Sequence, residues 1–379
     1  MYMPPREFLS CTDHTLAMCL SGSYPSNSWA DFSEAEWKQL ANVALVGGVA
    51  PLLHWAINQN DSAVGVPASI SNELERAYYT SLANNLLLQR ELGCILNSLE
   101  RAGIPTIILK GAALAETLYP DIATRPMNDL DLLTRQSHLE KAVKVIEACG
   151  YIVQKTSHHV VLQGGPGNQV TIELHWNLLV GARQSSLQAM SWFWQHAVPA
   201  QIAHRHTQIL DPTAQLLYLS AHLMIQHARD GGRLMWFYDL HRLVTCWGEK
   251  LDWENLTLQA HELGWDVPLF TALLGCRQRF GTPLPEDFLS IVPQDLMNAF
   301  ASNESPGLPI QNQAAHEWIW HSLVSLEGRA RLHMIRRFIF PTADYMCWRY
   351  QPHPVWLWPA CYPLRWWDLL RGGVALFKP

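Results

Sequence analysis

Asp129 and Asp131 stand two apart in Thr124-Arg125-Pro126-Met127-Asn128-Asp129-Leu130-Asp131-Leu132-Leu133. In an extended strand successive side chains alternate faces, so the two carboxylates share one face while Leu130 and Leu132 take the other, toward a core. Like charges this close are stable when a divalent cation sits between them, and hard oxygen ligands suit magnesium. A third acid lies in Thr171-Ile172-Glu173-Leu174-His175-Trp176. The same alternation puts Thr171, Glu173 and His175 on one side and Ile172 and Leu174 on the other. Two magnesium ions held by Asp129, Asp131 and Glu173 suit in-line displacement at phosphorus, one activating a hydroxyl and the other stabilising a leaving pyrophosphate.

The matching phosphate site is Lys110-Gly111, a turn that opens the alanine-rich run Ala112-Ala113-Leu114-Ala115-Glu116. Backbone N–H groups at a helix N-terminus together with one lysine attract a triphosphate, and Gly111 leaves room for close approach. Arg125, kept extended by Pro126, is placed to offer a forked cation to the same phosphates. His175 shares the face of Glu173, where it either touches the nucleotide or acceptor or serves structure beside Trp176. A bare pair of aspartates two apart is common on solvated strand faces. The reading rests on the order in which turn, helix, paired acids and later glutamate occur.

Those residues carry a family resemblance. Leu109-Lys110-Gly111-Ala112-Ala113-Leu114, then Arg125 to Leu133, then Glu173-Leu174-His175-Trp176 resemble the uncharacterised bacterial nucleotidyltransferase family of the polymerase-β superfamily, over roughly Gly103 to Leu179. The resemblance extends to Leu217-Tyr218-Leu219-Ser220-Ala221-His222, His227 and Trp236-Phe237-Tyr238-Asp239-Leu240, which look like that family's helical half. More distantly the chain is similar to toxin nucleotidyltransferases of abortive-infection systems. It implies transfer of a nucleoside monophosphate from an NTP to an acceptor, with a small molecule, peptide or protein favoured; a tRNA acceptor and a non-catalytic nucleotide-binding protein are the alternatives. One departure is Ala112, where the superfamily usually has a second Gly or Ser.

These residues need an α+β architecture. Leu74, Tyr78, Leu82, Leu88, Leu92, Ile95 and Leu99 are spaced for a long helix, with Ser69 or Ser71 as its cap and Gly103 as its stop. Thr106 to Leu109 suits a short buried strand. A helix follows from about His138 to Cys149, then strands over His158–Gln163 and Gln169–Trp176 joined by a glycine-rich loop. From about Gly181 onward the pattern reads helical. The expected division is an N-terminal helical segment (residues 1–102), a small mixed-sheet nucleotidyltransferase core (103–180) and a large C-terminal helical region (181–379). His222 and His227 lie five apart, about 140° around an α-helix, which sets them on different faces and argues against a shared zinc.

Composition bounds the remaining partners. No apolar run approaches the roughly 20 residues of a membrane-spanning helix, and the first residues carry no basic-then-apolar segment, so a cytoplasmic protein is expected. Eight widely spaced cysteines suit reduced thiols, mostly as buried fillers. Seventeen tryptophans concentrate late, and the segment Trp356 to Arg371 has the aromatic and basic make-up of a surface resting on a membrane or a partner, although packing against the helical region is preferred. Arg329, Arg331, Arg336 and Arg337 form a basic patch that suits RNA phosphates or an anionic membrane, and a solvated helix face equally well. A net charge of −6 disfavours RNA as a general partner. For tRNA, log affinity against log salt is therefore expected to show a shallow slope; four phosphate contacts by those arginines would give a slope near −3, removed on neutralising them.

Overall fold

A computed structural model describes residues 11–21, 32–59, 65–156, 159–178, 186–227, 233–301, 339–340, 354–364 and 366–367. The chain divides into two units, residues 1–314 and 315–379. In the first, helices α1 (Cys11–Ser21), α2 (Glu34–Gly47), α3 (Ala50–Gln59) and α4 (Ala68–Arg101) precede the sheet. A reciprocal Ser33–Glu36 capping box starts α2. α4 buries the expected stripe of Leu74, Leu88, Leu92, Ile95 and Leu99. It begins one turn earlier than a serine cap would place it: Pro67 is the N-cap, without a side-chain hydrogen bond, and Ser69 and Ser71 lie inside the helix.

β1 (Thr106–Ile108) leads into α5 (Lys110–Thr117), β2 (Asp129–Thr134) and α6 (Leu139–Ala148). Three strands follow, β3 (Tyr151–Thr156), β4 (His159–Gly164) and β5 (Thr171–His175), then α7 (Ser186–Gln195), β6 (Ala197–Ile202) and β7 (Arg205–Leu210). The seven strands form one mixed sheet in the order β3-β4-β5-β2-β1-β7-β6. β2 pairs parallel with β5 and antiparallel with β1, and β7 pairs parallel with β1.

The expectation of helix beyond Gly181 therefore fails at 197–210, where a hairpin extends the sheet. Its two-residue turn is Ala203-His204, at φ of 51° and 57°. Such turns normally advertise themselves with Asn-Gly or Gly, so this one carries no local signal. Pro199 lies in β6, an edge strand of the sheet, where its missing N–H is tolerated. β3 is a further strand beyond those expected, carried by the short aromatic and β-branched run Tyr151-Ile152-Val153.

α8 (Pro212–Ala221) is capped by Asp211, whose side chain accepts from Ala214 N–H. It runs into a π-helical turn, His222–Gln226. α9 (Leu234–Trp247), α10 (Trp253–Leu263), α11 (Asp266–Phe280), α12 (Glu286–Ser290) and α13 (Gln294–Ala301) complete the described part. Two buried clusters result. Ile108, Leu130, Leu132, Ile172 and Leu174 pack with Leu88, Leu92, Ile95 and Leu99 of α4 and Ile146 of α6. Ile107, Leu109 and Leu133 join Leu217, Phe237, Leu240 and Leu269 from the later helices and Leu53 from α3. The alternation expected of β2 thus holds, and its acid face is turned toward the helical half.

One polar tie crosses between these layers. Arg125 donates from Nε and Nη2 to Asp239 Oδ1 and Oδ2 at 3.0 and 2.8 Å, and the Tyr119 hydroxyl donates to Oδ1 at 2.6 Å. Arg125 and Asp239 are 5% and 1% exposed. Of the described cysteines, Cys19, Cys276 and Cys361 are buried while Cys94, Cys149 and Cys246 are exposed, fewer fillers than expected. Among the described residues no helix is long and apolar enough to cross a membrane.

In the second unit, Val355–Cys361 forms a 3₁₀ turn. Tyr362 packs with Phe340, Trp358 and Trp366 at 5.6–6.2 Å, and Trp366 Nε1–H donates to the Ile339 carbonyl. Trp356 and Trp367 stay exposed. Arg329, Arg331, Arg336 and Arg337 lie outside the described residues.

Deleting one partner of the Arg125–Asp239 pair leaves a buried charge without compensation. Asp239→Ala is expected to lower the unfolding free energy by about 3–5 kcal/mol, read in denaturant titrations. An effect under about 1 kcal/mol, the size of a surface pair, would show that Arg125 is not held by Asp239.

Candidate active site

Parallel pairing of β2 with β5 sets Asp131 directly opposite Glu173, with Asp129 opposite Thr171 and Leu133 opposite His175. Neighbouring strands are about 4.8 Å apart, so the carboxylates expected to converge do so through register. β4 then places His159 opposite His175 on the other side of β5. Sequence reasoning had passed His159 over; the available signal was its place across the glycine-rich loop from His175.

Asp131 is the most enclosed of the three acids, 5% exposed. Its Oδ1 accepts from Lys110 Nζ at 2.8 Å and from His175 Nε2 at 3.0 Å. Burial alone would raise its pKa, but Lys110 and His175 together hold it well below the usual carboxylate range. Burial likewise opposes the charged form of Lys110, yet Asp131 and the Tyr218 hydroxyl leave its pKa raised. Glu173 is lowered chiefly by the neighbouring His175, 3.5 Å away, against burial and Asp131. His175, burial notwithstanding, is raised by Asp131 and Glu173. Asp129 fares differently: burial, Asp131 and Glu173 push it up to about 6, more than Lys110 and Arg125 offset.

Lys110 reaches Asp131 from an unusual backbone. It is the first residue of α5 and has φ of 45°, a left-handed conformation costing a non-glycine residue roughly 1–2 kcal/mol. The Lys110–Asp131 bond and the backbone bond from Leu109 N–H to the Asp131 carbonyl at 3.0 Å hold it there. Strain of this kind is concentrated at functional sites.

Two expectations about the phosphate side need correcting. The Arg125 fork is occupied by Asp239 instead of facing outward. The space left by Gly111 is taken by protein: a Cβ there would stand 2.7 Å from Arg125 Nη1 and 3.1 Å from Met127 Cγ. Glycine is needed at 111 because the buried guanidinium passes against it. Lys110 is the sequence-selected cation that pairs directly with the acid cluster, through Asp131.

α8 and its π turn supply the facing wall. Tyr218 lies close enough to Lys110 for the two to interact electrostatically, and burial raises the Tyr218 pKa. Burial, with Lys110 and His227 nearby, holds His222 well below the ordinary histidine range. The α-helical spacing of about 140° between His222 and His227 does not survive. The π turn winds wider, and their rings meet at 4.7 Å. His227 in turn lies 4.4 Å from Trp236.

Residues 33–281, more than half of the chain, match the sequence profile of a family described as uncharacterised nucleotidyltransferase. No curated protein is significantly similar in sequence. Two solved structures are similar to part of the chain. The solution structure of the antibiotic-resistance factor ANT(2'')-Ia is 14% identical, over 48% of this chain and 91% of that one, with a TM-score of 0.34. An antigenic nucleotidyltransferase-like protein from Paracoccidioides brasiliensis is 16% identical, over 57% and 93%, with a TM-score of 0.33.

The two aspartates respond oppositely to neutralisation. On sequence alone the two would behave alike, each neutralisation relieving repulsion in the pair. In the structure Asp131→Asn strands Lys110 and is expected to lower the melting temperature. Asp129 has a raised folded pKa, so ionising it costs stability as pH rises from about 4 to about 6. Asp129→Asn removes that cost and is expected to raise stability at pH 7 by about 1–2 kcal/mol, below the roughly 3 kcal/mol of a two-unit shift because the carboxyl is partly solvated. The gain disappears near pH 4. Thermal unfolding of both variants between pH 4 and 8 checks this; equal shifts would refute it.

Proposed function

This chain belongs to the uncharacterised nucleotidyltransferase family, and we propose that it transfers a nucleoside monophosphate from an NTP to a small-molecule, peptide or protein acceptor, using Asp129, Asp131 and Glu173 as its metal-holding carboxylates. The observation carrying this reading is the register that sets Asp131 against Glu173, with Asp129 on the same face and Lys110 alongside. In the reaction the acceptor oxygen forms a bond to the α-phosphorus as the bond from that phosphorus to pyrophosphate breaks. The acceptor hydroxyl loses its proton in the process.

The residues fit a divalent cation. Three carboxyl groups share one face, and burial together with the charges of Asp131 and Glu173 pushes Asp129 up to about 6, a crowding that a cation bound among them would relieve. A pair of Mg²⁺ ions held there would activate the acceptor hydroxyl and offset the charge on pyrophosphate. Lys110, beside Asp131 at the start of α5, would be the cation available to the β- and γ-phosphates. Asp131 and Glu173, fixed on adjacent strands, keep the oxygen donors in place without loop motion. Tyr218 faces Lys110 from α8. Nothing in this set selects the base or the acceptor; a net charge of −6 favours an acceptor other than RNA.

The test is incubation of the purified chain with each α-labelled NTP, Mg²⁺ and lysate fractions. Label is expected in a small-molecule or protein fraction and at least about 10²-fold less with Asp129→Asn, since cation-held charge supplies several kcal/mol of such a barrier. Label in RNA would move the acceptor to tRNA. Near wild-type transfer by Asp129→Asn at saturating Mg²⁺ would remove the carboxylate assignment, and NTP binding without transfer to any fraction would leave a nucleotide-binding protein.

A further inference from the structure

His159 and His175 bracket Glu173 from two strands. His159 Nε2 lies 3.7 Å from Glu173 Oε1, and His175 Nε2 lies 3.5 Å from Oε2 and 3.0 Å from Asp131 Oδ1. The two rings sit 4.9 Å apart. One ligand atom from each of His159, Glu173 and His175 falls within 4.8 Å of the others.

The two contacts to Glu173 are long for hydrogen bonds, whose N···O distances centre on about 2.9–3.0 Å. They do match the edge of a coordination shell. With metal–nitrogen and metal–oxygen distances of about 2.0–2.2 Å, two ligand atoms in a tetrahedral site stand about 3.4 Å apart. Both imidazoles present Nε2 to the same carboxylate. All three ligands come from the paired strands β4 and β5, with His159 directly opposite His175, so the arrangement is set by backbone pairing and needs no loop to close. Imidazole nitrogen is a poor ligand for magnesium and a good one for first-row transition ions.

We propose that His159 and His175 join Glu173 in a mixed nitrogen–oxygen metal site, so that one cation position at this centre takes a first-row transition dication such as Mn²⁺, Co²⁺ or Zn²⁺ in preference to Mg²⁺. Asp131, whose Oδ1 faces the same His175 nitrogen, is placed to be the fourth ligand. The proposal rests on the reading that these carboxylates hold a cation, and adds which atoms hold it and which ions they select. His175 is thereby a metal ligand and not a nucleotide contact, and His159 acquires a role.

Pulsed electron paramagnetic resonance on the full chain loaded with one equivalent of Mn²⁺ reads ligation directly, without turnover. Modulation from coupled ¹⁴N is expected in the wild type and is expected to weaken in His159→Gln and His175→Gln. Calorimetry with Co²⁺ and Mg²⁺ supplies the second readout. Each histidine variant is expected to bind Co²⁺ at least about tenfold more weakly while Mg²⁺ affinity changes less than about twofold. Absence of ¹⁴N modulation in the wild type, where folding of a variant is not at issue, would overturn the proposal, as would equal losses for the two metals. ¹⁴N modulation in a protein that transfers no nucleotide would keep the metal site and reject the transfer reading. Transfer with Mg²⁺ and no ¹⁴N modulation would do the reverse.

Discussion

Crowding of negative charge on one strand face governs this molecule. Asp129, Asp131 and Glu173 sit on adjacent parallel strands, so their repulsion is built into the backbone pairing and cannot be relaxed by side-chain rotation alone. The protein meets it unequally. Asp131, the most enclosed acid, receives Lys110 and His175; Glu173 receives His175; Asp129 is left with its pKa pushed up to about 6. The strained start of α5 serves the same end: Lys110, left-handed just after β1, brings an ammonium to Asp131 of the neighbouring strand.

The same charge problem explains how the helical half is attached. A helix bundle packed over an acid face needs cations at the junction, and buried cations need their own partners. Arg125 lies beside the acid strand but gives its fork to Asp239 of α9, with Tyr119 closing the set. Gly111 is small because that guanidinium lies against it. Tyr218 and His222 then line the facing wall, and the π turn carries His222 and His227 to one side. Position-specific roles for these residues come from layer packing and not from the local chain.

Much of this was legible from residue order. Period-two alternation identified β2, β5 and their acid faces, because burying Leu130, Leu132, Ile172 and Leu174 on one side leaves Asp129, Asp131 and Glu173 on the other. The long amphipathic stripe identified α4, and the Lys110-Gly111 step identified where strand gives way to helix. The β6–β7 hairpin was hidden because Ala203-His204 takes positive φ without glycine or asparagine, and β7 is held as a strand by parallel pairing with β1, a partner about a hundred residues earlier. The His222–His227 pair was misjudged because a π turn changes the angular spacing on which any helical-face argument depends.

Chain order alone thus determined which side chains could share a face, since alternation is a property of the extended backbone. Which faces oppose one another was decided by pairing. Register between β2, β5 and β4 joins Asp131, Glu173, His175 and His159. Asp239 of α9 claims Arg125, and Lys110 is left with the acids. An arginine and a lysine near paired aspartates carry the same charge and read alike in one dimension. Only the three-dimensional arrangement of their partners separates a buried structural ion pair from a cation at the site.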